Sequence, residues 1–418
     1  MSDLVVVGLG YVGLPLVDEA CRAKLEVVGL DVNQQVVDAL NAGQSHVDDL
    51  SDGQIAELVG LGFRATTDPA VIAEASTVVI CVPTPLSADG GPDLAAVEGA
   101  CRAVGRHLTA GTLVVLESTT YPGTTAEVVT PLLEETSGLS AATDFHVAYS
   151  PERIDPGNTR FGLKNTPKVV GADSPAASEA VAEFYGAIVD EVVVARGTRE
   201  AESAKLLENT YRHVNIALVN EMARFFHELD IDFWDVIRLA STKPFGFQAF
   251  RPGPGVGGHC IPIDPNYLSH RVRSQLGYGF RFVELAQEIN NSMPSYVALR
   301  AVELLNEASL SVRGSKILLL GVTYKPDIAD QRESPAMALA SRLLDMGAEL
   351  SFHDPFVAEW HVDGVTAGDA DAVVAAGHAD LVILLQNHSA YDIAAIETAA
   401  GRLLDTRGVT SGPGSHRL

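Results

Sequence analysis

The stretch RPGPGVGGHCIPIDP, residues 251–265, leads a run of glycine and proline onto His259 and Cys260. Cysteine chemistry depends on the thiolate, whose formation is set by surroundings. Cys21, Cys81 and Cys101 lie in alanine- or valine-rich segments and read as small core hydrophobes. No two of the four cysteines form a CxxC pair, so no zinc site, redox dithiol or other metal is assigned. Cys260 differs from the other three and is the candidate for chemistry.

Three further groups have usable types and spacing. Gly8-Leu9-Gly10-Tyr11-Val12-Gly13 follows an apolar run, opens a helical pattern, and is followed at the next strand end by Asp31, 18 residues past Gly13. In that context GxGxxG is a dinucleotide fingerprint: Gly8 for the turn, Gly10 for close approach of a pyrophosphate, Gly13 for helix–strand packing. Asp31 suits a ribose 2′-hydroxyl and repels a 2′-phosphate, and no arginine follows it closely, so NAD is preferred over NADP. Lys205 and Asn209, four apart, share a helix face, where they could hold a developing oxyanion or stand on a solvated surface. Pro83-Thr84, the Glu117-to-Gly123 segment with Thr119, and Ser150-Pro151-Glu152-Arg153 follow strand-like runs, where ligands of parallel sheets bind. Each is also readable as an ordinary turn, and Glu152 with Arg153 as a surface ion pair.

The elements around them alternate. LVVVG, EVVGLDV, TVVICV, GTLVVLE, FHVAY and PKVVGAD read as strands separated by helical segments, a parallel sheet covered on both faces. From about 198 to 240 apolar residues recur at three and four with no strand between, predicting a long helix. Beyond the cysteine loop helix continues to about 309, after which SKILLLG, AELSFHDP, DLVILLQN and RLLDTRG resume the alternation. TSGPGSHRL reads as a frayed tail. The expected architecture is α/β: two Rossmann-like doubly wound domains (1–198 and 311–418) joined by a central helical domain (199–310) that carries the long helix and the cysteine loop.

The 418 residues carry a formal charge of −25, which disfavours nucleic acid and anionic membrane partners. No charge-free apolar run reaches the length of a membrane span, and no signal segment is evident, so a cytoplasmic location is expected. Lysine occurs at only seven positions: 24, 164, 168, 205, 243, 316 and 325.

GLGYVG, VPTP, ESTTYPGTT, YSPERIDPGN, ESAKLLENTYR, GPGVGGHCIPIDP, GVTYKPDIADQRESPA and DTRG occur in this order from residue 4 to about 408. Together they resemble the nucleotide-sugar 6-dehydrogenase family, which oxidises C6 of UDP-glucose, GDP-mannose or UDP-N-acetylhexosamines twice, with NAD, from alcohol to carboxylate. The resemblance implies that Cys260 attacks the intermediate aldehyde, giving a thiohemiacetal and then a thioester. By the same carry-over Lys205 and Asn209 stabilise the oxyanion, Asp264 and Thr119 hold or activate water, and Glu152 serves hydrolysis. Lys325 and Arg407 would bind the nucleotide sugar, with Arg332-Glu333-Ser334 in the same segment. Glu152, Arg153, Lys205 and Asn209 would line the sugar. Arg251 could meet the diphosphate or be structural, and the bare glycines, Gly257 among them, would let the sugar approach. The long helix resembles the family's dimer core, implying a homodimer or higher homo-oligomer.

UDP-glucose enzymes typically read GGSCxxKD, where this chain has GGHCIPID, with His259 for Ser and Ile263 for Lys. YSPERIDPGN and the cysteine loop look most like the UDP-N-acetylglucosamine branch, with UDP-N-acetylmannosamine the nearest alternative. His259 could tune Cys260 or be structural. A 3-hydroxyacid dehydrogenase would have no use for Cys260 or a third domain, and a non-catalytic sugar-nucleotide sensor would need none of the catalytic positions.

Overall fold

A computed structural model describes residues 2–47, 50–87, 91–154, 158, 160–258, 261–412 and 414–418. The chain divides into two compact units, Met1–Glu208 with Asn266–Tyr278, and Asn209–Pro265 with Gly279–Leu418.

The first unit holds an eight-stranded sheet of β1 (Ser2–Val7), β2 (Val27–Leu30), β3 (Arg64–Thr66), β4 (Ala75–Ile80), β5 (Leu113–Leu116), β6 (His146–Tyr149), β7 (Lys168–Ala172) and β8 (Val192–Val194), in the order β3-β2-β1-β4-β5-β6-β7-β8. Its first six strands have the dinucleotide-binding order, with the switch point between β1 and β4. Alternate residues of β1 enter different cores: Leu4 and Val6 pack with Leu14 and Val17, whereas Val5 and Val7 pack with Val97 and Val104. Helices therefore cover both faces, which is why the strands read as unbroken apolar runs. One pairing departs from the expected parallel sheet: β7 runs antiparallel to β6. Parallel neighbours need a long crossover, usually a helix, and the described residues between these strands contain none.

The second unit holds β9 (Lys316–Leu320), β10 (Glu349–His353), β11 (Val365–Ala367), β12 (Leu381–Leu384), β13 (Leu403–Asp405) and β14 (Ser415–Arg417), all parallel, in the order β11-β10-β9-β12-β13-β14. The C-terminal residues read as a tail are thus a strand. Ser415 to Arg417 pair with Leu403 to Asp405, and the Leu418 side chain is buried. Its glycine-rich lead-in masked a three-residue strand, too short to show a period.

A common lock closes the first turn of each sheet. Gly8 adopts φ +92° and donates its N–H to Leu30, while the Leu9 N–H bonds the Asp31 carboxylate at 3.0 Å. Gly321 adopts φ +76° and donates to His353, while the Val322 N–H bonds Asp354 at 2.7 Å.

The long helix spans Thr198–Glu228 and stops where Asp230 takes φ +55°. The Asp232 side chain then caps a separate helix, Phe233–Ala240, so the periodic run to 240 is two helices. Helices Asp264–Leu276 and Arg281–Glu307 follow the cysteine loop. No described helix is long and apolar enough to cross a membrane.

Candidate active site

The fingerprint residues have distinct surroundings. A Cβ on Gly8 would come within 2.8 Å of the Cys81 carbonyl oxygen, one on Gly13 would overlap the Gly8 carbonyl, and one on Gly10 would meet nothing within 4 Å. Gly8 and Gly13 are therefore closed by the fold, while Gly10 leaves open space beside a helix, Gly13–Arg22, with no acidic first turn and no side-chain cap. Tyr11 and Val12 pack partly buried against the core. The Asp31 carboxylate is aimed by the N–H groups of Leu9 and Asn33, and Val32 beside it is fully exposed. These residues fit a dinucleotide.

The loops after β4 and β5 are stitched together. The Thr84 hydroxyl donates to the Thr119 carbonyl at 2.8 Å and the Ser118 hydroxyl to the Val82 carbonyl at 2.7 Å. Tyr267 donates to the Thr84 carbonyl. Pro83 is exposed and Thr119 half-buried.

Glu152 is buried, with its carboxylate fully engaged. One oxygen accepts the N–H groups of Arg153 and Ile154, each at 2.6 Å, and the other lies 3.2 Å from the Lys168 ammonium. Lys168 also touches Glu117 at 3.0 Å, and the Tyr185 hydroxyl donates to the same carboxylate oxygen. Burial alone would lower Lys168, but Glu117 and Glu152 outweigh it and hold the ammonium above the usual lysine range. Burial raises the Glu117 carboxyl, with Lys168 opposing. Arg153 instead pairs with Glu208 at 2.7 Å, so Glu152 and Arg153 are not the surface ion pair that their adjacency allowed. The main-chain carbonyl of Glu152 accepts from the Lys205 ammonium at 2.6 Å.

Lys205 and Asn209, one helical turn apart, are both buried, which removes the solvated-face reading. Asn209 donates to the buried Asp264 carboxylate at 2.6 Å. Cys260 and His259 lie outside the described residues. The loop before them is anchored through Gly253, whose N–H bonds Asn220, itself bonded to Asn290. The bare faces of Gly257 and Gly258 are taken up by the chain itself: a Cβ on Gly257 would stand 2.7 Å from the Glu333 carbonyl and from Tyr324, and one on Gly258 2.7 Å from the Tyr324 ring.

Lys325 and Arg407 follow the ends of β9 and β13, on the carboxyl edge of the second sheet, and both are half-buried. The Arg407 guanidinium donates to the Leu385 carbonyl at 2.5 Å, and burial pushes it down to about 10, still charged at neutral pH. The DTRG loop turns on Asp405, whose carboxylate accepts the N–H groups of Arg407, Gly408, Val409 and Thr410. Arg332 pairs with Asp330, Glu333 takes φ +52°, and Ser334 caps the next helix. Arg251 is exposed. Among site residues, sequence reasoning passed over Lys168, which only the scarcity of lysine marked, and Asp405, which looked like part of a turn.

Three family models of the UDP-glucose/GDP-mannose dehydrogenase family match in succession: its NAD binding domain over residues 2–189, its central domain over 199–292 and its UDP binding domain over 318–412. The chain is 36% identical over 372 residues to a UDP-N-acetyl-D-glucosamine 6-dehydrogenase of Pseudomonas aeruginosa, spanning 88% of this chain and 87% of the relative. It is equally 36% identical, over 377 residues, to a UDP-N-acetyl-D-mannosamine dehydrogenase of Pyrococcus horikoshii, spanning 89% and 88%. The solved UDP-D-ManNAc dehydrogenase of Pyrococcus horikoshii superposes with a TM-score of 0.89 at 31% identity, over 99% of this chain and 98% of that one. With its fingerprint open at Gly10 and closed at Gly8 and Gly13, the chain belongs to the UDP-glucose/GDP-mannose dehydrogenase family and is an NAD-dependent nucleotide-sugar dehydrogenase.

Proposed function

We propose that this enzyme oxidises C6 of UDP-N-acetylglucosamine to the carboxylate in two steps through Cys260. NAD, held by Gly8, Gly10, Tyr11, Val12, Gly13, Asp31, Pro83, Thr84 and Thr119, supplies the hydride acceptor for each oxidation. Lys205 and Asn209 stabilise negative charge on the C6 oxygen. The Cys260 thiolate adds to the aldehyde carbon; oxidation of that thiohemiacetal leaves a thioester, and water displaces the thiol to give the acid. Asp264 and Thr119 hold the water, and Glu152 serves hydrolysis by keeping Lys205 on its carbonyl. Lys325, Arg407 and Arg251 take the UDP moiety, with Arg153 toward the sugar.

The observation that carries this reading is the burial of Lys205 and Asn209, the latter bonded to Asp264, four residues beyond Cys260 in the chain. YSPERIDPGN favours the glucosamine epimer, and the mannosamine relatives of equal identity make its epimer the second reading. The functional division is 1–198, 199–310 and 311–418, in line with the extents of the family models. A homodimer through the long helix is supported by exposed Tyr211, Leu218 and Phe225, spaced seven apart.

The test is NADH yield per sugar consumed, over a panel of UDP-N-acetylglucosamine, UDP-N-acetylmannosamine, UDP-glucose and GDP-mannose. Two NADH per UDP-N-acetylglucosamine, abolished in Cys260→Ala, supports the scheme. Two NADH from another sugar moves the substrate and keeps the mechanism. One NADH per sugar, or turnover without the thiol, overturns the thioester route.

A further inference from the structure

Asp354 stands after the second strand of the second sheet as Asp31 does in the first, and each accepts the N–H of the residue following the turn glycine. Their free edges differ. Asp31 is half-buried, whereas the Asp354 side chain is sealed by a histidine from the loop after β12. His388 is fully buried, with Nε2 3.0 Å from Asp354 Oδ2 and 3.4 Å from the Thr323 hydroxyl. Its Nδ1 accepts the Asp327 N–H at 3.0 Å. A ring that accepts at Nδ1 must carry its proton on Nε2, so the neutral tautomer is set by its two partners. Phe356 and Tyr391 pack against the ring at 5.1 and 5.5 Å between centroids, so the imidazole has little freedom to turn.

What this ring holds is a strained turn. Asp327 takes φ +62°, a conformation non-glycine residues keep only when their surroundings impose it. Two bonds impose it: the Asp327 N–H to His388, and the Ser389 N–H to the Asp327 carboxylate at 2.7 Å. Within the turn, the Thr323 hydroxyl closes onto the Lys325 carbonyl at 2.8 Å. Lys325 is the acceptor of that internal tie and stands two residues before Asp327.

We propose that His388 is a positioning residue for the sugar nucleotide. It occupies the corner at which a dinucleotide-type sheet would offer its carboxylate to a ribose, and uses that corner to fix the 323–327 turn carrying Lys325. This rests on the reading that the second sheet takes UDP through Lys325.

Two substitutions separate the ring's two bonds. In His388→Asn the shorter amide falls near Nδ1 and can accept the Asp327 N–H. In His388→Gln the longer amide reaches toward Asp354 but leaves the Asp327 N–H unpaired. UDP alone is titrated calorimetrically into the full-length wild type and both variants, with NAD as the control ligand. His388→Gln is expected to weaken UDP about tenfold, the effect of one lost buried hydrogen bond, with NAD unchanged. His388→Asn is expected to recover most of that loss. Equal UDP affinity in wild type and His388→Gln overturns the proposal, as does equal weakening in both variants, which would mean the ring only neutralises Asp354. Wild type that binds NAD but not UDP overturns the underlying reading and the proposal with it. Hydrogen exchange on the wild type needs no variant: the Asp327 amide should be protected and gain protection with UDP, and a freely exchanging Asp327 amide refutes the assignment.

Discussion

Acidification should loosen the second unit through one imidazole. His213, on the Thr198–Glu228 helix, is fully buried, and burial pushes its pKa from 6.5 down to about 4. Its Nδ1 lies 3.4 Å from the Asn290 amide, a donor, and Nε2 has no hydrogen-bond partner among the described residues. The folded state therefore favours the neutral ring. In the unfolded chain the ring protonates near pH 6.5, so between there and pH 4 the unfolded state binds one more proton and stability falls with pH. The slope approaches 1.4 kcal/mol per pH unit, and the 2.5-unit gap sets a total loss of about 3 kcal/mol. Above pH 6.5 the contribution is fully present; below pH 4 nothing more is lost from this group.

Urea unfolding followed by tryptophan fluorescence suits the measurement, because Trp234 and Trp360 are the chain's two tryptophans and both lie in the unit containing His213. Carboxylates titrate over the same range, so the informative quantity is the difference from His213→Gln, which cannot take up the proton. From pH 7 to pH 4 the wild type should lose about 3 kcal/mol more than the variant. Parallel profiles would refute the account and place a charged His213 comfortably inside the fold.

Gly10→Ala should fold with unchanged melting temperature yet lose NAD affinity at least about tenfold, because its new methyl enters only open space. Gly13→Ala should lower the melting temperature as well, since its methyl meets the Gly8 carbonyl; equal melting temperatures for the two variants would contradict the packing described. Lys168→Met should cost about 3–5 kcal/mol by stranding Glu117 and Glu152, with partial recovery on adding Glu117→Gln; denaturant midpoints of the three proteins test this. Leu218→Glu should shift the sedimentation profile toward monomer without changing the far-ultraviolet dichroism, and an unchanged profile would remove that helix face from the assembly.

Local pattern made β1, β2, β4 to β7, β9, β10, β12 and β13, the fingerprint and the long helix legible, because each rests on short-range periodicity or on a glycine whose role is steric; the three-residue strands β3, β8 and β11 went unread. The breaks in the pattern came from tertiary partners. The antiparallel β6–β7 pairing goes with a connection whose described residues hold no helix, and β14 takes its register from β13 rather than from its own composition. Lys168 opens a strand in sequence and meets Glu117 and Glu152 only once the sheet is assembled. Lys205 and Asn209 could be placed on one helix face from spacing, but their burial depends on what packs over that face. The same holds for His388, whose two partners lie 34 and 61 residues away.

The recurrence of the glycine–aspartate lock bears on how such sequences are diagnosed. An acidic residue at the end of the second strand is commonly taken as the mark of a ribose hydroxyl. Here Asp354 has that position and that bond to the turn N–H in a sheet without a GxGxxG, with its free edge closed by His388. The carboxylate thus has an architectural task, satisfying the N–H exposed by a left-handed glycine, that survives without the nucleotide contact. An aspartate at this place testifies to the turn, and only its accessibility testifies to a ligand.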